Sequence, residues 1–144
     1  MDNLTLRLSM GIERIAVLGA GQMGNGIAQV AACAGYDVVM IDIKQDYLDK
    51  GLAAIENSLS RVVKKERMTQ QEADEAISLI SISTEKIAAA DADLVVEAIP
   101  EIPELKFSTF AELDSICKPE SILASNTSSI SINAIADATN RPDR

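Results

Sequence analysis

A chain of 144 residues is long enough for one domain with a sizeable core. Hydrophobic residues make up 47% of it and aromatics only 3%, which points to an α/β protein built on Ala, Ile and Val. The net charge of −9 argues against nucleic acid as a partner, because a phosphate backbone rewards clustered Lys and Arg. There is no His, and Cys33 and Cys117 form no C-x-x-C pair, so a zinc site is not expected. Two lone cysteines fit a reducing compartment. No run approaches transmembrane length and the start lacks the unbroken apolar core of a signal peptide, so no membrane association and a cytoplasmic location are expected.

Met1–Gly11 shows no clear period and reads as a leader to a domain over residues 12–144. Ile15-Ala16-Val17-Leu18 is an apolar run of strand length. Gly19-Ala20-Gly21-Gln22-Met23-Gly24 follows, opening a small, apolar helix that runs to about Ala34, with Gly35 a good stop. Asp37–Ile41 reads as the second strand. Apolar residues at Leu48, Leu52, Ile55, Leu59, Val62 and Val63 are spaced by three and four, which predicts a helix from Gln45 to about Glu66. Thr69-Gln70-Gln71-Glu72 is a capping-box signature and predicts a separate helix from Gln70 to about Ala76. Ile77–Ser83 alternates and reads as the third strand, and Thr84–Ala90 as a short helix. Ala92–Ile99 holds Leu94-Val95-Val96 and reads as a buried fourth strand. Pro100 and Pro103 bracket a turn, after which a helix over Leu105–Ile116 is expected to bury Phe107, Phe110, Leu113 and Ile116. Ile122–Ala124 reads as the fifth strand and Ser131–Ala138 as a last short helix.

Strands alternating with helices predict a doubly wound parallel sheet of Rossmann type, in the order 3-2-1-4-5, with right-handed crossovers. The helical pair between strands 2 and 3 is longer than a minimal crossover and reads as an insertion. Ligands in such sheets bind at the carboxyl ends of strands 1 and 4. Strand, glycine turn, helix, strand and then Asp42 together form a dinucleotide-binding fingerprint. Gly19 allows the tight turn, Gly21 admits a pyrophosphate and Gly24 lets the helix pack. The N–H groups at the helix start, with its dipole, attract a diphosphate. A carboxylate at Asp42 accepts ribose hydroxyls and repels the extra phosphate of NADP, which points to NAD as cofactor. Lys44 is the cation nearest to it in sequence. The cluster Arg61, Lys64, Lys65 and Arg67 reads, on its own, as a solvated helix face.

Three stretches carry a more specific signal: Val17–Ala28 around the glycine turn, Asp93–Glu101 (DLVVEAIPE) and Ala124–Ser129 (ASNTSS). On these the chain resembles the N-terminal domain of L-3-hydroxyacyl-CoA dehydrogenases, including bacterial 3-hydroxybutyryl-CoA dehydrogenases of fatty-acid or butyrate metabolism. The resemblance implies NAD bound by Gly19, Gly21, Gln22, Met23, Gly24 and Asp42, and adds Glu101, Lys106 and Asn126. It implies that Ser128 meets both cofactor and substrate. It further implies that Ser58 and Lys65 contact the coenzyme A of an acyl-CoA substrate.

The chemistry that the resemblance implies is hydride transfer between C3 of the acyl-CoA and the nicotinamide, with a His as general base. The family places that His a few residues beyond Arg144, followed by a helical domain that closes over the acyl-CoA and forms a homodimer. The 144 residues hold no His, so this polypeptide is expected to bind NADH without turnover. Two readings compete with a dehydrogenase half: a non-catalytic NAD-binding or sensing module, and the cofactor half of a related sugar-acid or hydroxy-acid dehydrogenase.

Overall fold

The computed structural model describes residues 11–144, and the leader expected over residues 1–11 lies outside the described residues but for Gly11. Five strands form one parallel sheet: β1 (Arg14–Leu18), β2 (Asp37–Ile41), β3 (Ile80–Ser83), β4 (Leu94–Glu97) and β5 (Ile122–Ser125). Their order is β3-β2-β1-β4-β5, as the alternating pattern predicts. β1 is central, with Ala16 opposite both Val39 of β2 and Val95 of β4. Alternate residues of each strand face opposite ways. Ile15 and Val17 of β1, with Val38 and Met40 of β2, therefore enter one core, and Ala16, Leu18, Val39 and Ile41 enter the other.

The first core is covered by α1 (Gln22–Cys33), α2 (Gln45–Lys64) and α3 (Gln70–Ser78), which contribute Ala28, Ala31, Leu48, Ile55, Leu59, Ala73 and Ala76. The second is covered by α4 (Pro103–Ile116) and a 3-10 turn (Lys86–Ala89), through Leu113 and Ala89. The last helix, α5 (Ile132–Asp137), is capped by the Ser131 hydroxyl, which accepts from Ala134 N–H. α1 and α2/α3 on one face and α4 on the other make the sheet doubly wound, with α2 and α3 as the insertion between β2 and β3.

Three local expectations are corrected or narrowed. Ile77 and Ser78 belong to α3, not to the third strand. The pairing with β2 begins at Ile80, opposite Val38, and the Leu79 carbonyl before it accepts from Val38 N–H at 2.9 Å. Meanwhile the Thr69–Glu72 capping box holds the helix start, and Ile77 packs on the core. α4 starts at Pro103, which fits the first helical turn because its missing N–H is no loss there. Of the four residues expected on its buried face, Phe110 and Leu113 are buried and Phe107 and Ile116 are half-buried, while Lys106 and Thr109 are buried in addition. The short helix expected over Thr84–Ala90 is present as a 3-10 helix, narrowed to Lys86–Ala89.

The end of the described chain folds back onto α4. Arg141 donates to Asp114 Oδ1 at 2.6 Å and to the Lys118 carbonyl at 2.7 Å, closing off the helix C-terminus. The Arg144 carbonyl accepts from Leu123 N–H at 2.8 Å, alongside β5. Among the described residues no helix is long and apolar enough to cross a membrane.

Candidate functional site

The carboxyl ends of β1, β2, β4 and β5 open into one cleft of about 990 Å³, lined from Gly19 through Met23, by Asp42, and by Glu101, Lys106, Asn126 and Ser128. Its floor is the glycine turn. Gly19 has φ +102°, which an L side chain rarely adopts, and a Cβ there would stand 2.4 Å from the Ala98 carbonyl oxygen. A Cβ on Gly24 would stand 1.8 Å from the Gly19 carbonyl oxygen, so α1 is pressed directly on the turn. Gly21 is different: a Cβ there would meet nothing within 4 Å, so what it keeps clear is open space in the cleft.

Helix α1 begins beneath that space. The Asn25 N–H donates to the Gly21 carbonyl at 2.9 Å, which leaves the N–H groups of Gln22, Met23 and Gly24 without acceptors inside the helix. No side chain caps this end and no acid stands in its first turn. Such an end takes an anion by N–H donation and by the helix dipole.

Asp42 follows β2 directly. Its Oδ2 accepts from Ala20 N–H at 2.8 Å and its Oδ1 from Ile43 N–H at 2.7 Å. An ionised carboxylate has roughly four lone-pair sites, so each oxygen still has capacity for a ribose hydroxyl. The neighbouring cations are engaged elsewhere. Lys44 Nζ lies 5.4 Å from the Tyr47 ring centroid, and Lys50 pairs with Asp46 at 2.7 Å. The local field at Asp42 is thus that of a carboxylate, which disfavours a 2′-phosphate.

The opposite side of the cleft is built on buried charge. Lys106, 1% exposed, places its ammonium 2.6 Å from Glu97 Oε2 and 2.7 Å from Glu101 Oε1. Burial pulls the Lys106 pKa down, but the hydrogen bonds that its ammonium donates to Glu101 and Glu97 outweigh that and raise it above its ordinary value. Glu101 also accepts from Ser129 Oγ at 2.7 Å and Thr127 Oγ1 at 2.8 Å. The Lys106 bond first, then those from Ser129 and Thr127, lower the Glu101 pKa to about 2. Glu97 is fully buried and accepts three times: from Lys106, from Ile99 N–H at 2.8 Å and from Ser125 Oγ at 2.6 Å. The Thr127 N–H then returns to Ser125 Oγ at 3.1 Å. Ser125, Glu97, Lys106, Glu101 and Thr127 form a closed ring. Asn126, between Ser125 and Thr127, and Ser128, between Thr127 and Ser129, line the cleft.

With this geometry in place, the comparisons are decisive. Residues 14–144 match the family model for the 3-hydroxyacyl-CoA dehydrogenase, NAD binding domain. The chain belongs to this family. It is 48% identical over 133 residues to a 3-hydroxybutyryl-CoA dehydrogenase of Bradyrhizobium diazoefficiens, covering 92% of this chain and 45% of that protein. A probable 3-hydroxybutyryl-CoA dehydrogenase of Bacillus subtilis is 47% identical over 135 residues, covering 94% and 47%. The fold superposes on (S)-3-hydroxybutyryl-CoA dehydrogenase PaaH1 from Ralstonia eutropha with a TM-score of 0.89 at 42% identity, covering 92% of this chain and 47% of that one. The chain thus spans about half the length of the relatives it matches.

The cofactor of this 3-hydroxyacyl-CoA dehydrogenase domain is NAD, and the residues present fit it. The open space over Gly21, the N–H groups without helical acceptors and the carboxylate of Asp42 suit a diphosphate flanked by an adenosine ribose. Of the residues expected from the sequence, Gly19, Gly21, Gln22, Met23, Asp42, Glu101, Lys106, Asn126 and Ser128 line one cleft, whereas Gly24 lies behind the turn, buried against the Gly19 carbonyl. Ser58 and Lys65 do not line it. They lie about 10 and 20 Å farther along the α2 axis than Gly51, at 1.5 Å per residue, whereas Gly51 packs on the glycine turn. Ser58 is half-buried there, and Lys65 is exposed with Arg61, Lys64 and Arg67.

Sequence reasoning missed Gly51, where a Cβ would stand 2.7 Å from the Ala20 carbonyl oxygen. It also gave no role to Glu97, Ser125, Thr127 or Ser129. The available signal was Glu97 itself, a lone acid within the apolar run Leu94–Ile99.

Proposed function

We propose that the chain is the cofactor half of an NAD-dependent 3-hydroxyacyl-CoA dehydrogenase acting on a short substrate such as 3-hydroxybutyryl-CoA. The observation that carries this reading is the single cleft. It joins an anion-binding helix end and Asp42 on one side to Asn126 and Ser128 on the other. The relatives at 47–48% identity carry the 3-hydroxybutyryl-CoA dehydrogenase name.

Bound NAD supplies the hydride acceptor or donor. The chain's own residues supply position. The first turn of α1 holds the diphosphate, Asp42 accepts the hydroxyls of the adenosine ribose, and Asn126 borders the nicotinamide. The Ser128 hydroxyl, which has no partner among the described residues, donates to the substrate oxygen at C3. Glu101 and Lys106 orient the second ribose. The separate surface of Ser58 and Lys65, with the ammonium and guanidinium groups around it, takes the phosphates of coenzyme A. The proton at the C3 hydroxyl needs a general base, and none of the 144 residues is a His. We assign that base, the acyl pocket and the homodimer contact to the part of the relatives that this chain does not span, and place the enzyme in the cytoplasm.

The test is to titrate the purified 144-residue polypeptide with NADH and then assay it with acetoacetyl-CoA. Saturable NADH binding without oxidation is expected. Turnover comparable to a full-length relative would overturn the assignment of the base.

A further inference from the structure

Glu97 touches neither the cleft nor solvent, yet it stands at the centre of the polar ring beside it. Its Oε1 takes the Ser125 hydroxyl and its Oε2 takes both the Ile99 N–H and the Lys106 ammonium. Through Ser125 it holds the end of β5. Through Lys106 it holds α4 and, one step on, Glu101, whose other oxygen takes Thr127 and Ser129. Glu97 therefore joins the two loops that follow β4 and β5.

We propose that Glu97 is a positioning residue for the nicotinamide side of the cleft. By fixing Ser125, Thr127 and Ser129 through this ring, it sets Asn126 and Ser128 facing inward. The serine and threonine run is thus two interleaved sets. Alternate residues 125, 127 and 129 bond the carboxylates of Glu97 and Glu101, and residues 126 and 128 face the ligand. A neutral Gln at position 97 keeps the shape but removes the carboxylate from one side of Lys106. It also turns one acceptor into an amide donor: facing Lys106 and the Ile99 N–H it sets donor against donor at a buried position, and facing Ser125 it forces that hydroxyl to reverse from donor to acceptor.

The inference rests on the NAD reading above, and its test separates the two. Wild type, Glu97→Gln and Ser125→Ala would each be titrated with NADH and with ADP, which shares only the adenosine and diphosphate. ADP reports on the glycine turn and Asp42, on the far side of the cleft from the ring. The expected result is an NADH affinity lowered about tenfold in Glu97→Gln and by a smaller factor in Ser125→Ala, with ADP affinity unchanged in both. Loss of fold would weaken both ligands together, and Ser125→Ala carries the test if Glu97→Gln does not fold. Equal weakening of NADH and ADP, or no weakening of NADH, in the folded variants would overturn the positioning role. A wild-type chain that binds neither ligand would overturn the NAD reading itself.

Discussion

Asp42 acts in two directions. Its carboxylate ties the glycine turn to the end of β2 through Ala20 N–H, and the same oxygens face the cleft. Asp42→Ala is therefore expected to weaken NADH by roughly tenfold or more, the scale of hydrogen bonds to a charged group, and to narrow the gap between NADH and NADPH. Fluorescence titration of the two cofactors against wild type and variant checks this. At Glu101 the prediction is one of pH. Its folded-state pKa of about 2 lies below the ordinary 4.5, so its contribution to stability is complete above pH 4.5 and is lost as pH falls toward 2. Urea unfolding of wild type and Glu101→Gln should differ at neutral pH, and the difference should vanish across that acid range. A difference that stays constant down to pH 2 would contradict the ring. At this scale the glycine turn and Asp42 were legible in the sequence because few other residue types can do their work. Glu97 was not, since a buried acid at a strand end looks like the strand's polar limit until its three donors are seen.

The elements meet at glycines, and the glycines are not equivalent. Gly51 of α2 faces the Ala20 carbonyl, where an added Cβ would stand at 2.7 Å, whereas a Cβ on Gly26 of α1 would meet nothing within 4 Å. Gly51→Ala should cost about 1–3 kcal/mol of stability through overpacking. Gly26→Ala should instead add about 0.5–1 kcal/mol, because Ala is the better helix former and no contact opposes it. Denaturant midpoints of the two variants give the signs, and a destabilising Gly26→Ala would mean that the exposed side of α1 is occupied. The strand order was legible because apolar runs alternated with helical spacing. The start of β3 was not, because Ile77 continues the alternation by chance while its backbone belongs to a helix begun eight residues earlier by Thr69. The inner face of α4 was partly misread for a related reason. Hydrophobic spacing picks out Phe110 and Leu113, which are buried, together with Phe107 and Ile116, which are only half-buried; it misses that the helix turns Lys106 inward, and only the two carboxylates awaiting it explain a buried ammonium.

At the scale of the described molecule, the carboxyl ends of the strands share a cleft whose two sides differ in chemistry. On the proposed function, the β2 side meets the adenosine half of the cofactor through the carboxylate of Asp42. The β4 and β5 side carries a ring of fixed polar groups, proposed above to position the residues that meet the reactive half. Ser58 and Lys65, proposed above to meet coenzyme A, stand apart from both sides. The most direct test is to titrate the chain with NADH and NADPH side by side, following the fluorescence of the bound nicotinamide. Saturable NADH binding, tighter than NADPH by about tenfold or more, is predicted from the carboxylate at Asp42 facing a 2′-phosphate. No saturable NADH binding, or tighter binding of NADPH, would contradict the assignment of the cleft.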